Sequence, residues 1–518
     1  MTSTQPDFAA QVPPCKPGNS RSGFVMLIVL VAAFVMILLL MMQLKRLGKS
    51  ISFNSDGGTV RLACAASMKV PVEQMIADFS AETGIKVEVQ YGGSGTLLSQ
   101  LRVAPNTADL YLAADMSYLQ QGRDSGLIAE ILPLAWMQPV LAVPAGNPLK
   151  LQHLEDLLAS DVRFGLANPE AAAIGRIVRD VMQQLGSWQE FESLATVFKP
   201  TMPELANDLK LGTLDAAILW DATVAQHEEL AAIALPEFAE HSFLEAVGVL
   251  KNTEQPALAL QFARYMQAQD RGALTITRNG FRAVGGDRWQ AVPKLTLFAG
   301  SMLNRAVDQA IHEFSAREGV QITRVYNGCG ILVGQMRAGA QPDAYFSCDQ
   351  SFLDQVADRF QTGVTVSQNP IMLITAKDNP HQIDSLADLL KPGLRVGLAH
   401  PEKSALGFLT RRLLQQVNLE QPLIDSGNIK QETPQGDLLV SAMATGSLDA
   451  IVVYKSNAMG QSERFQMHTI DSELALASQP YAVALDSKYP HTMQRLFDAL
   501  TSAATQQRFE DLGFVWLK

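Results

Sequence analysis

Two serines carry most of the chemical possibility in this chain. Ser67 ends the segment VRLACAAS (60–67), and Ser94 lies inside YGGSG (91–95). A serine hydroxyl can serve as a nucleophile or as a neutral hydrogen-bond donor, and its neighbours decide between the two. The nucleophilic reading fails on spacing, because Gly93-Ser94-Gly95 lacks the spacer residues of a G-x-S-x-G elbow. The 8 histidines are scattered without an H-E-x-x-H pattern, and His227 lies in a polar stretch that reads as solvated helix. There is no P-loop. GCGILVG at 328–334 places its last glycine one residue late for a dinucleotide fingerprint. No carboxylate pair stands out for hydrolysis, and no C-x-x-C or Cys/His cluster suggests zinc. Taken singly, Ser67 reads as a helix N-cap, the glycines of 92–95 as a tight turn, and Asp115 and Asp349 as helix caps. Trp220 and Tyr454 taken singly read as lobe-interface packing. No enzyme activity has residue support.

These residues recur. VRLACAAS (60–67) is answered by LTLFAGS (295–301), YGGSG (91–95) by YNGCG (326–330), and ADLYLAAD (108–115) by DAYFSCD (343–349). Further on, ANPE (167–170) is answered by AHPE (399–402), GTLDAAILW (212–220) by GSLDAIVVY (446–454), and NGF (279–281) by LGF (512–514). All six pairs keep their order at offsets of 232 to 235 residues. A period this long excludes a solenoid and marks a whole-domain tandem duplication.

The elements that must position the serines follow from patterning. In the first copy, strands are expected over 59–65, 86–91 and 109–114, with helices over 71–82 and 96–102. That β-α-β-α-β series implies a mostly parallel, helix-covered sheet with its crevice beyond the carboxyl ends of the strands. Ser67, Ser94 and Asp115 all follow strand ends and should share one rim. A second α/β series follows from about residue 143, with a helix over 151–159, a strand over 162–167, and a strand over 216–220 leading back. The second copy repeats this at 375–380, 386–390 and 394–399. Each copy is therefore expected to have two α/β lobes with a cleft between them.

In this order and spacing, met twice, the motifs resemble the molybdate-binding proteins of ABC importers, of the type 2 periplasmic-binding-protein fold. The resemblance covers nearly everything after about residue 58. It implies a tetrahedral oxyanion held by serine hydroxyls, backbone amides and a tyrosine hydroxyl, with no metal site and no cofactor. Helix N-termini suit this role because they present unpaired N–H groups and partial positive charge. Carried over, the first copy supplies Ser67, Ser94, backbone donors at Ile174 and Met202, and Trp220 at the tyrosine position. The second supplies Ser301, backbone donors at Leu406 and Gly436, Tyr454, and Cys329 in place of the second serine. Trp220 and Cys329 depart from the family pattern. Cys329 and Cys348, both at cleft-facing strand ends, could form a disulfide outside the cytoplasm or remain two buried thiols.

Composition frames the rest. The chain has 518 residues, 47% of them hydrophobic, and a net charge of −11 from 52 acidic and 41 basic side chains. That balance disfavours a broad grip on nucleic acid. The run FVMLIVLVAAFVMILLLMM (24–42) carries no charge and is long enough to span a bilayer. The expected organisation is an N-terminal tail (1–22), a transmembrane anchor (23–44), a linker (45–58), and binding domains over 59–290 and 291–518. The flanking lysines and arginines slightly favour a cytoplasmic body by the positive-inside rule, but large domains often translocate regardless. The expectation is therefore a cell-membrane protein, single-pass, with its body in the periplasm or outside. Its function would be to hand molybdate or tungstate to an ABC permease. The alternative is a non-transport sensor or interaction module with degenerate clefts.

Overall fold

The computed structural model describes residues 58–159, 161–239 and 242–518. The tail, the apolar run and all of the linker except Gly58 lie outside them. Among the described residues, no helix is long and apolar enough to cross a membrane.

Each repeat has its own hydrophobic core, one built from residues between Val60 and Phe281 and the other from residues between Leu295 and Phe514. In the first repeat, Thr59–Ala65 lies between Lys86–Gly92 and Leu110–Ala113, all three parallel. Leu110–Ala113 is buried along its whole length, as expected of a strand covered on both faces. Phe243–Leu250 returns antiparallel beside Leu110–Ala113 and pairs on its other side with Ile128–Met137. The second lobe is a five-stranded sheet centred on Ala216–Trp220. Strands Ile128–Met137 and Pro139–Pro144 lie in different lobes, with Gln138 as the crossing point. Its backbone exchanges hydrogen bonds with Asp221, and its side-chain amide donates to the Phe238 carbonyl at 2.9 Å, tying both crossing segments together.

In the second repeat the corresponding strand is unbroken. Val364–Ala376 pairs with Leu476–Val483 in one lobe and with Ala450–Tyr454 in the other, so that both lobes share one ten-stranded sheet.

Most expected elements are present with small shifts in their ends. The helices begin earlier than the pattern suggests, at Lys69 and Ser94. The helix expected over 151–159 is a correction: only the 3₁₀ turn Leu154–Leu158 forms. Asp156 accepts from the backbone N–H groups of Gln152 and His153, and Asn147 bridges both backbone groups of Leu151. These side chains satisfy the backbone locally, in competition with a regular helix.

The repeats are fastened through a buried charge cluster. Glu318 of the second repeat receives Arg264 of the first at 3.1 Å, and also receives Arg495. Asp287, at the tail of the first repeat, accepts from the backbone N–H groups of His491 and Thr492, each at 2.8 Å. It thereby satisfies the start of the helix Pro490–Leu500, which has no side-chain cap of its own.

Candidate functional site

Three helices of the first repeat start at one place without a side-chain cap. They are Ser94–Val103 after Gly93, Ala173–Gln184 after Ala172, and Met202–Lys210 after Thr201. By contrast, Asp115 caps the helix Met116–Asp124 by accepting from the Ser117 N–H at 3.1 Å. An uncapped helix start leaves N–H groups free for a ligand. Around these starts lies a cavity of about 20 Å³ lined by Ser67, Ser94, Ile174, Met202 and Trp220. All five residues expected from the first copy are thus brought together. On the order of one or two water-sized spheres fit such a volume.

No charged side chain lines this cavity. Two ion pairs lie nearby: Arg176 holds Asp115 at 2.7 Å and Arg179 holds Glu170 at 2.6 Å. Asp115 therefore caps a helix and joins the lobes rather than facing the cavity. Ser94 is anchored by its backbone, whose carbonyl accepts from the Tyr111 hydroxyl at 2.7 Å. Its own hydroxyl oxygen accepts from the Ala114 N–H at 3.1 Å, leaving its proton available to a ligand. Trp220 is buried, with its ring 5.8 Å from that of Phe243.

The lobes touch at this point. The Gly95 N–H donates to the Ala171 carbonyl at 3.1 Å. A Cβ on Gly93 would strike that same carbonyl, and one on Gly95 would lie 2.6 Å from the Glu170 carbonyl. Gly93 and Gly95 therefore do more than turn the chain, since they let the two lobes approach.

One participant is absent from the expected set. Glu245 is completely buried, and the Ser67 hydroxyl donates to its Oε1 at 3.3 Å, while Oε2 has no partner. Burial pushes its carboxyl well above the usual range, offset in part by the Ser67 hydrogen bond. It stands behind the serine rather than lining the cavity. The signal in the sequence was a lone acid within the apolar run FLEAVGVL (243–250).

The second repeat departs from this arrangement. Cys329 and Cys348 are joined as a disulfide, with Cα atoms 6.4 Å apart, within the usual range for such a bridge. As a donor, Cys329 is therefore a correction, because no thiol proton remains where the first repeat has the Ser94 hydroxyl. The surrounding framework is preserved: the Cys348 N–H donates to Cys329 Sγ at 3.1 Å, as Ala114 does to Ser94. Gly328 and Gly330 meet the carbonyls of Lys403, Pro434 and Glu402 much as their counterparts do. Leu406 lies in the first turn of Ala405–Gln416 and Gly436 opens Gly436–Ala444, both helices lacking a side-chain cap. Gly436 is pressed against the Asn457 side chain. Tyr454 is buried with its hydroxyl unpartnered, and Ser301 is partly exposed. Cys64, in the first repeat, is a free buried cysteine. Among the described residues, no group of three or more His, Cys, Asp or Glu side chains could hold a metal.

A family model described as bacterial extracellular solute-binding protein matches residues 60–282 and again 295–515. The chain belongs to that family and contains its domain twice. It is similar to the molybdate-binding protein ModA of Mycobacterium bovis, at 28% identity over 227 residues, which are 43% of this chain and 84% of that protein. A binding protein of Haemophilus influenzae is 26% identical over 226 residues, covering 43% of this chain and 90% of its own. Among solved structures, the periplasmic molybdate-binding protein of Azotobacter vinelandii matches 43% of this chain and 98% of its own, at 17% identity and a TM-score of 0.38.

Proposed function

We propose that this chain is a membrane-anchored, extracytoplasmic receptor whose first repeat binds a tetrahedral oxyanion, molybdate or tungstate, for an ABC importer. One observation carries the reading: two serine hydroxyls and the open starts of uncapped helices converge on a small cavity with no charged lining. A dianion whose oxygens all accept is satisfied by such donors. A species that keeps a proton leaves a donor facing a donor, with the associated desolvation cost. The disulfide in the second repeat fits an oxidising compartment, and the apolar run at 24–42 supplies an anchor of bilayer length.

A second reading applies to the second repeat alone. Its disulfide replaces a donor hydroxyl, which favours a sensor or interaction module there rather than a second oxyanion site.

Isothermal titration of the detergent-solubilised full chain with molybdate, tungstate, sulfate and phosphate tests both readings. One site per chain is expected, for molybdate or tungstate. Ser67→Ala and Ser94→Ala should each weaken it by about 1.5–3 kcal/mol, the value of a hydrogen bond to a charged group. Absence of heat with all four anions, or binding indifferent to both substitutions, would overturn the assignment.

A further inference from the structure

The Ser67 hydroxyl faces two possible partners. Its hydrogen bond runs to Glu245 Oε1, and its proton is therefore directed away from the cavity it lines. To serve an oxyanion, the serine must turn that proton around, and its oxygen must then accept rather than donate. Glu245 can supply the new donor only in its carboxylic acid form, because an ionised carboxylate accepts and never donates. We propose that Glu245 is a positioning residue for the oxyanion site, a protonated acid that donates to Ser67 Oγ and turns the serine proton into the cleft. The inference rests on the oxyanion reading of the first repeat.

The surroundings favour that role. Glu245 faces a register shift in the opposing strand: it pairs with Ala135 while Ala246 pairs with Pro133, which leaves Leu134 as the extra residue beside it. Bulges of this kind re-aim a side chain next to a site. The titratable groups acting on Glu245 are Asp221, at the start of the short helix Asp221–Ala225, and Cys64, two strands away in the same sheet, and neither is a cation. A dianion arriving in front of Ser67 adds a further negative charge, which again favours the acid form. In the second repeat the corresponding residue is Gln479. Its amide is engaged elsewhere, donating to the Cys348 carbonyl at 3.0 Å and accepting from Ser367 at 2.9 Å. The repeat with both serines thus carries the acid, and the repeat with the disulfide carries a committed amide.

Binding then holds one proton on the protein. Above the pH at which Glu245 ionises in the empty site, molybdate uptake must take up that proton, and affinity should fall by about tenfold per pH unit. The test is calorimetric titration of the full chain with molybdate from about pH 6 to about pH 10, in buffers of different ionisation enthalpy, with unperturbed side-chain values as the reference. In wild-type chain, any fall of affinity with pH should be accompanied by proton uptake of up to one per molybdate, beginning where Glu245 ionises in the empty site. Glu245→Gln, whose amide donates at every pH, should keep binding near neutrality and lose the pH dependence. Glu245→Ala should bind at least about tenfold more weakly, with a flat profile.

A Glu245→Gln chain that binds molybdate no better than Glu245→Ala would overturn the proposal, as would proton release in place of uptake in the wild-type chain. Failure of the wild-type chain to bind molybdate at any pH is a different result, because it overturns the oxyanion reading itself and the Glu245 role with it.

Discussion

The sulfur of Cys348 lies where an alanine at position 300 would place its methyl group. A Cβ on Gly300 would collide with Cys348 Sγ and stand 3.3 Å from Cys329 Sγ. In the first repeat the matching positions are Ala66 and Ala114, and the site has a methyl group with no sulfur to avoid. The residue exchanges are therefore coupled in space. Gly300→Ala should destabilise the chain by about 1–3 kcal/mol through overpacking, and most of that loss should vanish when Cys348→Ala is added. Denaturant unfolding of the two single variants and the double variant measures the coupling. Equal cost of Gly300→Ala in both backgrounds would show that the sulfur is not what excludes the methyl group. At this scale the sequence was informative about position and silent about state. Pairing motifs across the repeat located Ser67, Ser94 and Trp220, because each is tied to a strand end. Whether Cys329 was bonded depended on a Cα separation that spacing along the chain does not contain. Glu245 was missed because its importance comes from a bulge between strands more than a hundred residues apart in sequence.

Helix starts divide the elements into two functional kinds. Those sealed by Asp115 and Asp349 are structural, while those beginning after Gly93, Ala172 and Thr201 have no side-chain cap and open on the cleft, although the Gly95 amide is already spent on the Ala171 carbonyl. Glycine is needed at the latter where the lobes meet, and Gly93→Ala should obstruct closure. The expected result is molybdate affinity lowered by at least about tenfold, with the corresponding loss of one hydrogen-bonded contact to charge. Calorimetry gives the affinity, and small-angle scattering should show a liganded chain that stays as extended as the empty one. A glycine free of neighbours should behave in the opposite way. Gly334 lies inside the helix Cys329–Arg337 with nothing within 4 Å of its Cβ position. Gly334→Ala should therefore stabilise the chain by about 0.5–1 kcal/mol, which thermal or denaturant unfolding would register. Element types were largely legible because hydrophobic period and strand-end glycines agree with the fold. The exception at 151–159 had helical composition, but Asn147 and Asp156 offered its backbone nearer partners.

Across the whole molecule, the joint at Glu318 sets how the repeats depend on each other. Burial alone would raise this carboxyl, yet Arg495 and Arg264 hold it below the usual range. A carboxylate with a lowered folded value contributes stability above its unfolded titration point. That stability is lost as pH falls through the folded value. Glu318→Gln leaves two buried guanidinium groups short of a counter-charge and should cost about 3–5 kcal/mol near neutrality. The gap between wild type and variant should narrow as the solution is acidified, and unfolding measured against pH would reveal it. A gap that widens in acid would mean that the carboxylate is not ionised in the fold. Two-domain organisation was legible from the repeat period, whereas this joint was not, since Arg264, Glu318 and Arg495 belong to no motif shared between the copies.

Asp287 gives the duplication an asymmetry of its own. It belongs to the tail of one copy, yet it completes a helix of the other, so a cut at the boundary would strand a bare helix start on one fragment and an idle carboxylate on its sibling. The halves share an ancestry of pattern but no longer an equal independence: the downstream half has come to rely on its neighbour for part of its own architecture.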